Sequence, residues 1–134
     1  MTVKSKKSKK DIRRKNKKLR ELLRKFKRFL FRKNYSARIC LNYASVIGTL
    51  IRYTNASLRS FKTKEGIIKK FKQFVKIKHK GAINRNTKKF YLKAIRNFIQ
   101  FLRHIRFLSQ EEYKNLKTLN GNEIKVKLKK SKKK

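Results

Sequence analysis

No proline interrupts this chain, glycine occurs at only four positions, and carboxylates number six against 134 residues. Each shortage narrows what the protein can be. Without proline, and with so little glycine, the middle of the chain reads as a series of helices, and it shows no convincing strand alternation. The lone Cys40 excludes an intramolecular disulfide and a cysteine-built zinc site. It fits a reducing compartment and reads as a small buried apolar side chain. No apolar run approaches the ~18 residues of a membrane-spanning helix. The N-terminal MTVKSKKSKKDIRRKNKK has charge without an apolar stretch behind it, so it is no signal peptide.

The shortage of acid also argues against an enzyme. Asp11, Glu21, Glu65, Glu111, Glu112 and Glu123 mostly stand where a capping or tail role suffices. Glu111 and Glu112 are adjacent, so a helix would point them about 100° apart, a poor arrangement for an acid/base pair. His79 and His104 lie among cations, with no carboxylate neighbour to orient them. There is no phosphate-cradling glycine loop and no cluster spaced for a metal. Neither cofactor nor metal is expected.

What the chain has is basic charge. Lys and Arg total 44, giving a formal net charge of +38. Such a field repels itself, and an anionic partner is what would neutralise it. Nucleic acid ranks first as that partner and an anionic membrane surface well behind it. A charge run is usually only a solvated face, but then Glu would be interspersed for solubility and pairing. Residues 66–108 contain no acid at all.

Two lysine-rich ends, residues 1–18 and 119–134, have few apolar anchors and are expected to be disordered tails. The EIKVKLK run near the C-terminus alternates, but it is short and has no obvious partner. Between the tails, residues 19–118 read as one helical domain. A first helix from about Lys18 to Lys33 carries Leu19, Leu22, Leu23, Phe26, Phe29 and Leu30 as one stripe. It should stop at KNYS, where Ser36 caps a second helix reaching Tyr53. Thr63 caps a third through Lys78, with Glu65 suited to its positive end. Asn86 or Thr87 caps a fourth. There Tyr91, Ile95, Phe98, Leu102 and Ile105 share one arc, with Lys89, Lys93, Arg96, Gln100 and Arg103 opposite. Ser109, with Glu111 and Glu112, opens a short fifth helix.

KNYSARICLNYASVIGTLIRY resembles the second helix of the N-terminal SAM-like, core-binding domain of tyrosine recombinases, the phage integrase family. Asn34, Tyr35 and Ser36 stand at the family's turn and Tyr43 at its aromatic position, with Ile39 replacing the usual Thr. The fourth-helix pattern is closer, through Thr87, Leu92, Lys93, Ala94, Ile95, Arg96, Phe98, Ile99, Phe101 and Leu102. The likeness covers about residues 19–108. It implies a four- to five-helix bundle that forms half of a clamp on duplex DNA, with the second and fourth helices facing the major groove. Carried over by position, the contacts would come from Ser36, Arg38 and Asn42, and from Arg85, Asn86, Lys88, Lys89, Lys93 and Arg96. The arginine at 96 could equally support the fold.

The residues after Leu108 depart from that family. They do not hold the catalytic domain the resemblance would place there. His104 and Arg106 lack its His-x-x-Arg spacing, and Tyr113 lacks the nucleophile's partners. LSQEEYKNL resembles the opening segment of that domain. A truncated recombinase or a bundle reused as a stand-alone binder is expected, and neither should cut or join DNA. The expectation is therefore an all-α, SAM-like bundle with basic tails, intracellular, soluble and associated with nucleic acid, duplex DNA first. A structural RNA-binding protein of a ribosome or other ribonucleoprotein is the alternative. A third reading lays the first helix on a membrane surface.

Overall fold

Leu23, Phe26 and Leu30 sink into the core from one face of α1 (Lys9–Arg32), and Leu19, Leu22 and Phe29 pack half-buried beside them. The stripe at three- and four-residue spacing is thus the inner face of the first helix. In the computed structural model, which describes residues 9–124 and 126–128, α1 is followed by α2 (Ala37–Thr54), α3 (Lys64–Lys78), α4 (Arg85–His104) and α5 (Gln110–Leu116). A 3₁₀ turn, Leu58–Phe61, precedes α3. Among the described residues, the architecture is an all-α bundle of five α-helices.

Short-range chemistry sets the helix ends. Asn34 takes a left-handed φ of 71°, and Tyr35 N–H reaches back to Leu30 O, which closes α1. Ser36 then caps α2, its hydroxyl accepting from Ile39 N–H at 3.2 Å. Thr63 does the same for α3 through Gly66 N–H at 3.0 Å. A Cβ at Gly66 would lie 2.4 Å from Ser60 O, so the 3₁₀ turn can press on α3 only because glycine stands there. Ser109 and Glu112 form a reciprocal capping box at the start of α5.

Helix α4 is the axle of the bundle. Phe98 meets Phe26 of α1 and Phe61 of the 3₁₀ turn, with centroids 5.1 and 5.0 Å apart and rings near perpendicular. Tyr91 packs on Phe71 and Phe74 of α3. Ala94, Ile95, Ile99, Phe101 and Leu102 are also buried. Full burial of a side chain such as Phe98 contributes about 1.5–3 kcal/mol, and an edge-to-face aromatic pair adds about 0.5–1.5.

Several expectations need correction. The first helix begins at Lys9, well before Lys18, so the N-terminal basic run is helical from there. Lysine and arginine are good helix formers, and extending a nucleated helix is cheap. The cap of α4 is Asn84, not Asn86 or Thr87, because Ile83 is already anchored in the core. Ile105 is 41% exposed, since α4 ends at His104 and Arg106 turns the chain with a φ of 62°. Leu119 and Ile124, inside the expected C-terminal tail, are buried. The alternating run does find a partner: Lys127–Leu128 (β2) pairs in parallel with Ala82–Ile83 (β1). What was expected of residues 1–8, 125 and 129–134 lies outside the described residues.

Candidate nucleic-acid interface

Helices α2 and α4 meet along an aromatic seam. Tyr35 lies edge-on to Tyr43, centroids 5.8 Å apart, and Tyr43 packs on Phe90 at 5.3 Å. Burial holds the Tyr43 phenol above its ordinary pKa, so it stays neutral there. Just before α2, Lys33 Nζ donates to Asn97 Oδ1 at 3.2 Å and to Gln100 Oε1. The start of α2 therefore lies beside the second half of α4, and the middle of α2 beside the beginning of α4. They run antiparallel, and each turns an outer strip to solvent.

Arg38 and Asn42 stand exposed on the α2 strip, Lys89 and Lys93 on that of α4. Arg85 and Asn86 are exposed in the first turn of α4. Ser36 is exposed too, but its hydroxyl is engaged as the α2 cap. Two more of the expected contact residues are held by the fold. Arg96 donates through Nε and Nη2 to Leu119 O, at 3.3 and 3.2 Å. Lys88 Nζ donates to Gly121 O at 2.9 Å. Both cations fasten the segment after α5 along the flank of α4. Arg96 supports the fold through those bonds while remaining exposed on α4.

The charge around the strip is one-signed. Neither α2 nor α4 contains a carboxylate. Among the described residues, ion pairs join Lys62 to Glu112 at 4.0 Å and Lys64 to Glu123 at 3.1 Å, at the start of α3. Glu112 lies below its usual pKa chiefly because Ser109 N–H donates to it, and Glu123 chiefly because Lys64 does. Like charges one helical turn apart, such as Lys89 and Lys93, cost about 0.2–0.5 kcal/mol. An anion laid over them removes that cost.

The two histidines and the cysteine have structural placements. His79 Nε2 is 2.8 Å from Tyr91 OH, and the His104 ring packs on Phe29. Cys40 is buried, with its thiol facing Tyr35 O at 3.7 Å, and burial raises its pKa. Among the described residues, no group of three or more His, Cys, Asp or Glu is placed to hold a metal ion. No described helix is long and apolar enough to cross a membrane.

A second basic feature escaped the sequence reading. On the other side of α2, a groove of about 350 Å³ opens toward α1. Ala37 and Cys40 floor it, and Phe31 borders it together with Arg24, Lys27, Arg28 and Arg32. Phe31 is 64% exposed. The available signal was its position: it falls off the apolar stripe of α1 and stands between arginines at 28 and 32.

No protein-family model, no curated protein and no solved structure matches the chain. The likeness to the recombinase core-binding domain rests on its second- and fourth-helix residues alone.

Proposed function

We propose that the protein is a non-catalytic nucleic-acid-binding module that lays the outer strips of α2 and α4 on duplex DNA. The carrying observation is that strip: two antiparallel helices without a carboxylate, exposing Arg38, Asn42, Arg85, Asn86, Lys89 and Lys93 together. Cations beside amides are the residue types that contact phosphates and reach some groove edges. A DNA-clamping role, as in the core-binding domain that the chain resembles, uses the same two helices. The lysine-rich ends add phosphate neutralisation without sequence preference.

Four strip cations, Arg38, Arg85, Lys89 and Lys93, would neutralise about four phosphates, and the slope of log affinity against log salt would be about −3 to −4 from them alone. Titrating duplex binding against salt tests this, and a nearly flat line sinks the proposal. Competing the duplex against structured RNA decides the nucleic acid. Preference for RNA would replace the recombinase-like reading by that of a ribonucleoprotein component.

A further inference from the structure

The groove between α1 and α2 has a composition that the duplex-binding strip lacks. It offers one large exposed ring, Phe31, above a floor of small side chains, Ala37 and Cys40. Leu41, 57% exposed and one turn beyond Ala37 on α2, extends the apolar side. Arg24, Lys27, Arg28 and Arg32 supply the charge. Among the described side chains of α1 the carboxylate is Glu21, nearly a turn before Arg24.

Exposed aromatic surface beside a row of cations along α1 asks for a ligand that is flat, apolar on its faces and anionic along one edge. A docked amphipathic helix would need a row of apolar pockets at helical spacing, whereas this floor is short and has a single ring over it. The volume, about 350 Å³, lies at the small end of ligand sites, the size of one nucleotide. Stacking on an aromatic side chain with phosphates held by nearby cations is how unpaired nucleic acid is commonly gripped.

We propose that the α1–α2 groove seats one unpaired nucleobase, stacked on Phe31, with the adjoining phosphates held by Arg24, Arg28 and Arg32. The inference rests on the nucleic-acid reading above and extends it. Helix α2 lies between the two surfaces, so a strand crossing it reaches both. Its paired part lies on the α2–α4 strip, and a looped-out nucleotide enters the groove.

The test compares a short duplex with the same duplex carrying one unpaired adenine, in DNA and in RNA, bound to wild type, Phe31→Ala and Phe31→Tyr at fixed salt. Wild type should prefer the bulged form. Phe31→Ala should weaken bulged binding by roughly fivefold to a hundredfold, the range of base–aromatic stacking, and leave plain duplex unchanged. Phe31→Tyr should keep the preference, and unaltered melting of both variants would show that the exposed site is not structural. The arm with the larger loss identifies the sugar.

The proposal falls if Phe31→Ala leaves bulged binding untouched or weakens both ligands equally. It also falls if an acidic amphipathic peptide needs Phe31 and bulged nucleic acid does not. Salt-dependent duplex binding that is indifferent to Phe31 removes this inference alone. Failure of wild type to bind any of these ligands removes both readings.

Discussion

Lys88, Arg96 and Arg103 leave α4 to meet backbone carbonyls at Gly121, Leu119 and Leu108. Arg24, Lys27, Arg28 and Arg32 leave α1 to border an open groove. The two helices are similar in sequence: long, amphipathic and densely basic. Their surroundings differ. The chain after α4 turns back along its flank and presents carbonyls that need donors, and long basic side chains supply them. Helix α1 faces the small residues of α2, which ask nothing of its cations. A basic face is therefore several things at once, and what lies opposite each cation decides its use.

The contrast can be broken most severely at its base. Phe98 is fully buried between α1, the 3₁₀ turn and α4. Phe98→Ala should cost about 3–5 kcal/mol in denaturant unfolding and disable both basic surfaces together. Arg96→Ala attacks only the clamp side. Leaving Leu119 O without its donor should cost about 1–3 kcal/mol of stability. Lys93→Ala, at an exposed position on the same helix, should leave stability within about 0.5 kcal/mol of wild type. If the two variants melt alike, the division between clamping and free cations is wrong.

A smaller effect should come from acid. Glu112 and Glu123 have folded pKa values below their ordinary ones. Their contribution is therefore present above the unfolded carboxylate pKa and lost as pH falls through the lower, folded values. Melting temperature should decline slightly across that acidic window. The Glu112→Gln, Glu123→Gln double variant should flatten the decline.

Where signals are local, the fold was legible. Ser36, Thr63 and Ser109 cap their helices as the sequence indicates, because a cap is decided within a few residues. Long-range pairing was not legible. Nothing local in EIKVKLK points to Ala82 and Ile83, and Leu119 and Ile124 look like stray apolar residues until the chain returns over α4. The site divides the same way. Exposure of Lys89 and Lys93 follows from helical periodicity, whereas the capture of Lys88 and Arg96 depends on carbonyls 33 and 23 residues further along the chain, beyond α5. Phe31 was hidden by its neighbours: in a helix so rich in Leu and Phe, one aromatic off the stripe draws no notice.

The most direct measurement is the salt dependence of duplex DNA binding for wild type, Lys89→Ala/Lys93→Ala and Arg96→Ala. Each phosphate that a variant no longer neutralises should reduce the slope by about 0.9, so the double variant's slope should fall by about 1.8. Arg96→Ala removes one exposed charge that is also tied to Leu119 O, so it should lower the slope by no more than about 0.9, half the double variant's drop. Equal slopes for wild type and the double variant, or a drop for Arg96→Ala as large as the double variant's, would contradict the account.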